Sequence, residues 1–168
     1  MSMSTYVIRG GMAGRERLRI LARVMWPTTK ALLETVGVAD TARCLDVGCG
    51  GGDVTLELAR LAPNGHVTGI DLDEAKLDVA RRELAGTGIS NVDYRREDLF
   101  KPQRDESRYD LIYVRFVLSH LPDPAAGLAA LCARLAPGGA MVLEDVDFSG
   151  HFCHPASIAF SRYVELYT

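Results

Sequence analysis

The sequence has few of the features that mark membrane, secreted or metal-binding proteins. None of its apolar runs reaches the roughly 18 residues that a membrane helix needs, and residues 1–14 lack the apolar core of a secretory signal. Its four cysteines form no C-x-x-C pair, which argues against a zinc or redox motif. We therefore expect a cytoplasmic protein that binds no metal and does not associate with membranes.

A surplus of basic residues is also missing. The chain has 19 Lys and Arg against 22 Asp and Glu, a formal net charge of −3, whereas nucleic-acid binding is favoured by clustered positive charge. We therefore expect no nucleic-acid partner. With 168 residues, 48% of them hydrophobic, the chain is long enough for one globular domain with a substantial core.

Short apolar runs alternate with longer amphipathic stretches after residue 43, which is typical of βαβ units. This alternation predicts an α/β fold, a doubly wound Rossmann-like and mostly parallel sheet that binds ligands beyond the carboxyl ends of its strands. The predicted strands cover residues 44–47, 66–70, 92–95, 109–114 and 140–146, and the predicted helices cover 53–61, 73–84, 124–135 and 156–167.

The N-terminal region is predicted to be helical. Apolar residues from Leu18 to Met25 recur at helical spacing, and Pro27 should end that helix because proline lacks the backbone N–H. A second helix is predicted from Thr28 to about Val36, ending at Gly37. We therefore expect residues 1–40 to form a helical cap segment on a core of residues 41–168, within a single domain overall.

A glycine-rich loop follows the first predicted strand. It reads Asp46-Val47-Gly48-Cys49-Gly50-Gly51-Gly52-Asp53 and opens a helix, the context in which glycines let the backbone approach a nucleotide-type cofactor. A dinucleotide fingerprint starting at Gly48 would need glycine at position 53, where Asp53 stands. A nicotinamide-dependent dehydrogenase therefore remains a disfavoured alternative.

Polar residues follow the next three predicted strands. Asp71 comes directly after the second strand, where a carboxylate can accept hydrogen bonds from both hydroxyls of a ribose. Asp98 follows the third strand and Arg115 the fourth. Because parallel strands end at the same edge of a sheet, these side chains are expected close to the glycine loop.

These motifs resemble those of class I S-adenosylmethionine-dependent methyltransferases. The resemblance is carried by the acid-x-G-x-G-x-G string from Asp46, by residues 109–114 and by Leu135-Ala136-Pro137-Gly138-Gly139 before the fifth strand. Residues 6–11 with Arg17-Leu18 are similar to the small-molecule enzymes of the ubiquinone and menaquinone biosynthesis group. In that group the segment covers the cofactor, which implies contacts from Tyr6 and Arg17.

The resemblance implies S-adenosyl-L-methionine as the cofactor and assigns a role to each motif. Asp46 would bind the ammonium group through water. Asp98 would bind the adenine amino group, and the backbone amide of Leu99 would contact a ring nitrogen of the adenine. Arg115 would reach the cofactor or an anionic substrate. The cofactor-binding residues implied together are Asp46, Gly48, Gly50, Gly52, Asp71, Leu72, Asp98, Leu99 and Arg115.

The acceptor is expected to be a small molecule that receives the methyl group directly. Residues 115–118 lack the Asn/Asp-Pro-Pro-aromatic string of enzymes that methylate nucleobase amines, and the chain has no Pro-Cys pair. A base is needed only if the acceptor must lose a proton, and His120 and Glu144 are the candidates. The alternative is a non-enzymatic or truncated S-adenosylmethionine-binding module.

The sequence departs from the family pattern after the fifth strand. The family continues with an antiparallel hairpin that pairs beside this strand, and no such hairpin follows here. This would leave the edge of the fifth strand bare. The chain could be a fragment of a longer enzyme, could pair or swap with a second copy, or could tolerate the open edge, and we favour the first explanation. A homodimer through that exposed edge is the expected consequence.

Overall fold

The computed structural model describes residues 12–101, 107–147 and 150–166. Its strands are β1 (Arg43–Val47), β2 (His66–Asp71), β3 (Val92–Arg96), β4 (Tyr109–Arg115) and β5 (Leu135–Glu144). Its α-helices are α1 (Met12–Val36), α2 (Asp53–Leu61), α3 (Glu74–Ala85), α4 (Pro124–Cys132) and α5 (Ile158–Glu165), with a short 3₁₀ turn at Leu118–His120. The five predicted strands are therefore present in the predicted order.

The strands form one sheet in the order β3-β2-β1-β4-β5, and every neighbouring pair is parallel. The chain runs outward from β1 through β2 to β3, then returns to the other side of β1 for β4 and β5. Strand order therefore reverses between β1 and β4, and in such sheets this switch point opens a crevice at the carboxyl ends.

Successive residues of β1 enter two different cores because side chains alternate across a strand. Cys44 packs with Leu33 of α1 and Leu58 of α2 on one face. Leu45 packs with Ile112 of β4 and Leu131 of α4 on the other. Helices therefore cover both faces of the sheet, and the predicted doubly wound Rossmann-like fold is confirmed.

The predicted helix break at Pro27 is wrong. Helix α1 continues through Pro27 as one element of 25 residues. Proline removes only one N–H bond of the ladder, and burial continues on both sides of it: Trp26 packs against the core, while Thr29 and Leu33 are fully buried. This tertiary packing outweighs the local preference of proline.

The division into a cap of 1–40 and a core of 41–168 remains a prediction.

The predicted start of the fifth strand at Ala140 is also wrong. Strand β5 already pairs at Leu135 with Tyr109, and the register then shifts so that Leu111 pairs with Ala140. The intervening segment includes Gly138, whose φ of 80° suits glycine. The Pro-Gly-Gly string therefore forms an irregularity inside the strand rather than a turn before it.

Strand β5 is an edge of the sheet, since β4 is its one neighbour among the described strands. Leu143 near its end is 42% exposed, and Val146 just beyond it is 41% exposed.

No helix in the part of the chain that the structure describes has the length and apolar character needed to cross a bilayer.

Candidate active site

The loop between β1 and α2 has a backbone that favours glycine. Gly48, Gly50 and Gly52 have φ values of 69°, 55° and 83°, in the left-handed region that residues with a Cβ rarely adopt. The backbone N–H groups of Gly48 and Cys49 both donate to the carbonyl of Ile70, at 2.8 and 3.0 Å. The loop is thereby fixed across the carboxyl ends of β1 and β2.

Asp46 lies on β1 just before this loop and is almost entirely buried, with 2% of its surface exposed. Its Oδ2 accepts a hydrogen bond of 2.6 Å from Thr55 Oγ1 on α2. Burial raises the pKa of the Asp46 carboxyl to about 7, against the hydrogen bond from Thr55 and the positive charge of Arg115, which both lower it. Asp46 therefore changes its charge near neutral pH.

Arg115 ends β4 on the same face of the sheet as Asp46, because Asp46 is the register partner of Tyr113, two residues earlier on the same strand. Its Nη1 is buried and has no hydrogen-bond partner among the described residues. The next residue, Phe116, has a φ of 55°, which costs a residue with a Cβ roughly 1–2 kcal/mol. Such strain is commonest at functional sites.

Asp71 reaches from the end of β2 to the glycine loop. Its Oδ2 accepts a hydrogen bond of 3.0 Å from the backbone N–H of Gly50, and its Oδ1 accepts one of 2.9 Å from Asp73. Each carboxylate oxygen has a second lone pair, so both can still accept a bond from a ligand. Leu72 beside it is 60% exposed.

Asp98 and Leu99 follow β3 at the same edge of the sheet. Asp98 Oδ1 accepts a hydrogen bond of 3.0 Å from the backbone N–H of Phe100, and its Oδ2 lies 3.4 Å from Lys101 Nζ. The Leu99 side chain is partly buried against the core that contains Leu45. The structure thus places the predicted acids at or just after the carboxyl ends of β1, β2 and β3.

Glu144 is engaged in bonds within the protein. Its carboxylate accepts hydrogen bonds from Thr29 Oγ1 of α1, at 2.8 and 3.1 Å, and from the hydroxyl of Tyr113. Burial is the main cause of the raised pKa of Tyr113, and the bond to Glu144 adds to it. Glu144 therefore joins α1 to the sheet.

His120 lies in the 3₁₀ turn after β4 and is exposed. The turn is held against the end of β5 by Asp145, which accepts hydrogen bonds of 3.1 Å from both the backbone N–H and the hydroxyl of Ser119. His120 is thus the accessible member of the two candidate bases.

Arg15 of α1 contacts the glycine loop, which sequence patterns did not predict. Its guanidinium donates to Asp53 at 2.5 and 2.9 Å, to Glu83, and to the carbonyl of Gly51 at 3.4 Å. Its carboxylate partners lie 38 and 68 residues away along the chain, so no local pattern connects them. The first turns of α1 are therefore tied to the loop by a partly buried arginine, whose side chain is 12% exposed.

The two N-terminal residues implied by the family resemblance have different outcomes. Arg17 is exposed on α1, and its contact with the cofactor remains a prediction. Tyr6 lies outside the described residues. Leu18 is the neighbour that faces the loop, because a Cβ built on Gly50 would lie 3.9 Å from its Cδ1.

Comparison with known protein families identifies the class that this fold and site define. The family model described as a methyltransferase domain matches residues 44–139, which is more than half of the chain. The chain therefore belongs to the methyltransferase domain family, of the S-adenosylmethionine-dependent class I type that its motifs resemble.

Individual relatives agree with this assignment. The chain is 42% identical over 120 residues to the ubiquinone biosynthesis O-methyltransferase of Hahella chejuensis, covering 71% of this chain and 47% of that protein. It is 39% identical over 108 residues to the same enzyme of Marinobacter nauticus, covering 62% and 44%. The chain thus spans about half the length of the curated relatives it matches.

Solved structures of similar fold include two informative ones. A SAM-dependent methyltransferase from Aquifex aeolicus superposes with a TM-score of 0.67 at 21% identity, over 82% of this chain and 77% of that one. Coclaurine N-methyltransferase bound to N-methylheliamine and SAH superposes with a TM-score of 0.64 at 22% identity, over 70% and 34%. At these identities the likeness shows the fold.

Proposed function

We propose that this domain binds S-adenosyl-L-methionine and belongs to an enzyme that transfers the methyl group directly to a small-molecule acceptor. One observation carries the proposal: a left-handed glycine loop follows β1 next to the switch point of the sheet, and acids stand at or just after the carboxyl ends of β1, β2 and β3. The O-methyltransferase names of the relatives from Hahella and Marinobacter support a hydroxyl group as the acceptor.

The residues of the site fit this cofactor. A Cβ on Gly48 would collide with Val117 Cγ2, so packing against Val117 requires glycine at this position of the loop. Asp46 would hold the ammonium end, and Asp71 the ribose hydroxyls. Asp98 and Leu99 would hold the adenine, while Gly50, Gly52, Leu72 and Arg115 complete the predicted set.

Bound S-adenosylmethionine supplies an already activated methyl group, so the protein mainly provides alignment and exclusion of water. Asp71 and the glycine loop would hold the nucleoside in place, since the Asp71 carboxylate is itself held by the backbone N–H groups of Gly50 and Asp73. Helix α1 covers the loop through Arg15 and Leu18. The acceptor would enter from the side of β4 and β5.

A hydroxyl acceptor must lose its proton, and we favour His120 over Glu144 for that role. His120 is exposed beyond β4, whereas the Glu144 carboxylate already accepts hydrogen bonds from Thr29 and Tyr113.

A homodimer through the β5 edge is supported by the exposure of Leu143 and Val146. The expected absence of a nucleic-acid partner remains a prediction.

Substitution of Asp71 by alanine tests the cofactor site. We expect the affinity for S-adenosylmethionine, measured by isothermal titration calorimetry, to fall by about 10- to 100-fold, because hydrogen bonds to a charged acceptor contribute about 1.5–3 kcal/mol. The matched control is Asp73→Ala, two residues further on. Asp73 caps α3 by accepting from Ala75 at 3.0 Å, so its loss should lower stability and leave the affinity unchanged.

Three results would contradict the proposal. They are equal affinity of the Asp71→Ala variant and the wild type, wild-type preference for NAD over S-adenosylmethionine, and absence of binding. Slow formation of S-adenosylhomocysteine in the presence of small phenols would separate an enzyme from a module that only holds the cofactor.

Cofactor affinity is expected to depend on pH through Asp46. The ionised carboxylate attracts an ammonium group, so the association constant should rise on the order of tenfold between pH 5.5 and 7.5, as Asp46 titrates near 7. Calorimetry across this range measures the effect, and the Asp46→Asn variant should give a flat profile. A wild-type profile as flat as that of the variant would contradict the role of Asp46.

The stability of the free domain should show the opposite trend. Because the folded-state pKa of Asp46 is raised, its contribution to the free energy of unfolding is fully present below its ordinary pKa of 3.8 and is lost as the pH rises through about 7. The difference in stability between wild type and Asp46→Asn in urea unfolding should therefore change across this interval. Saturating cofactor should oppose the loss.

A further inference from the structure

Tyr94 belongs to a row of register partners that crosses the sheet next to the glycine loop. Asp46 of β1 pairs with Gly69 of β2, and Gly69 pairs with Tyr94 of β3. Register partners project to the same face of a sheet, so the side chains of Asp46 and Tyr94 lie on one face with Gly69 between them. Because Gly69 has no side chain, the surface of β2 at this point is open to a neighbouring ring.

The Tyr94 ring occupies this space and reaches the glycine loop. A Cβ built on Gly69 would lie 2.7 Å from Cδ1 and 2.8 Å from Cε1 of Tyr94, and one built on Gly52 would lie 2.9 Å from its Cζ. A real Cβ does not come within 3.0 Å of another atom in this way, so both positions require glycine while the ring is in place. One side chain thus extends from the backbone of β2 to the end of the loop.

The ring of Tyr94 is closely packed, whereas its hydroxyl makes no regular hydrogen bond. Tyr94 is 7% exposed and packs with Leu77 and Ala80 of α3, with Cys49 of the loop beside them. Burial raises the pKa of the hydroxyl and the nearby Thr55 lowers it, but no hydrogen bond of regular geometry joins this hydroxyl to the described residues. The shape of the side chain therefore accounts for its place beside the loop better than its polarity does.

We propose that Tyr94 is a positioning residue for the cofactor, whose ring sets the distance between the glycine loop and the residues that follow β3. This inference rests on the proposed function. Gly52 meets one end of the ring, while the backbone of Tyr94 belongs to the strand that leads to Asp98 and Leu99. A ligand that binds both the loop and these residues depends on that distance, whereas a ligand without a part for the loop depends on it less.

The experiment compares two ligands of different reach, because a loss of stability alone would follow from many changes in the core. S-adenosylhomocysteine has the amino-acid part that the loop side of the proposed site would hold, and adenosine lacks it. Both are titrated calorimetrically into the wild type, Tyr94→Phe and Tyr94→Leu, under conditions in which circular dichroism shows each protein to be folded.

The two substitutions of Tyr94 are expected to differ. Tyr94→Leu removes the ring and should weaken the binding of S-adenosylhomocysteine by about tenfold or more, but that of adenosine by less than about threefold. Tyr94→Phe keeps the ring and should stay within about twofold of the wild type for both ligands.

Gly69→Ala tests the same contact with the ring present. The added Cβ should displace the ring and weaken the binding of S-adenosylhomocysteine, and it should have little further effect in the Tyr94→Leu background, where no ring is left to displace. The control variant is Leu33→Ala. Leu33 is fully buried in the separate core between α1 and the sheet, so this variant should lower the midpoint of urea unfolding and keep the wild-type ratio of the two affinities.

Equal weakening of both ligands by Tyr94→Leu would overturn the inference, because a general loss of structure predicts that result. So would an unchanged affinity of this variant for S-adenosylhomocysteine, a loss in Tyr94→Phe as large as in Tyr94→Leu, or additive effects of Gly69→Ala and Tyr94→Leu. If Tyr94→Leu does not fold, a wild-type ratio of the two affinities in Gly69→Ala overturns the inference. Failure of the wild type to bind S-adenosylhomocysteine would overturn the proposed function as well.

Discussion

The Gly52→Ala variant is expected to be destabilised by about 2–5 kcal/mol and to lose measurable affinity for S-adenosylmethionine. Gly52 has a φ of 83°, where a Cβ costs about 1–2 kcal/mol. The added Cβ would also lie 2.9 Å from Cζ of Tyr94 and closer still to its hydroxyl, and such overpacking costs about 1–3 kcal/mol. Urea unfolding and calorimetric titration of the same protein measure both effects.

The matched control is Gly88→Ala. Gly88 has a similar φ of 73°, but a Cβ there meets nothing within 4 Å. This variant should therefore show only the conformational cost and retain full affinity. Similar free energies of unfolding for the two variants would mean that Tyr94 does not confine the loop, and wild-type affinity of Gly52→Ala would remove the loop from the cofactor site.

The Glu97→Ala variant is expected to lose about 3–5 kcal/mol of stability, which is the usual cost of breaking a buried ion pair. Glu97 accepts a hydrogen bond from Arg134 Nη1, and the two side chains are only 10% and 8% exposed. Nε and Nη2 of Arg134 already lack partners among the described residues. Without Glu97, the Arg134 guanidinium would stay buried without a carboxylate. Its contact with the Tyr109 ring, whose centroid lies 5.4 Å from the guanidinium carbon, would remain.

Two further variants separate the effect of the buried charge from the effect of lost packing in this experiment. Glu57→Ala removes an exposed pair with Arg60 and should change the free energy of unfolding by less than about 0.5 kcal/mol. Glu97→Ala/Arg134→Met should be more stable than Glu97→Ala alone, because it also removes the uncompensated charge. If the single variant is within about 1 kcal/mol of wild type in urea unfolding, the pair is not structurally important.

Those parts of the fold that depend on local patterns could be predicted from the sequence. The five strands are short apolar runs bounded by polar residues, and the observed bounds of β1 to β4 differ from the predicted ones by about one residue. The glycine loop and Asp71 were predictable because a parallel sheet brings the ends of successive strands to one edge. Sequence spacing therefore predicted where the loop and Asp71 lie, whereas the roles of Asp46, Asp98 and Leu99 came from the family resemblance and remain predictions.

The errors occurred where distant packing outweighs local preference. Proline at position 27 is a strong helix breaker in isolation, but the burial of Thr29 and Leu33 beyond it keeps α1 continuous. The partners of Arg15 and Glu144 are remote in sequence, with Thr29 and Glu144 separated by 115 residues. No periodicity or motif encodes such pairs, and only the assembled fold reveals them.

Helix α1 is bonded to the rest of the domain at two separate points along its length. Arg15 fastens its first turns to the glycine loop, and Thr29, fourteen residues and roughly 21 Å further along the helix axis, fastens it to the end of β5. A rigid element held at two points transmits a displacement at either point to the other. The glycine loop and the end of β5 are therefore coupled through α1. A displacement at one of them is expected to reach the other, except so far as α1 bends near Pro27, where one hydrogen bond of the ladder is missing.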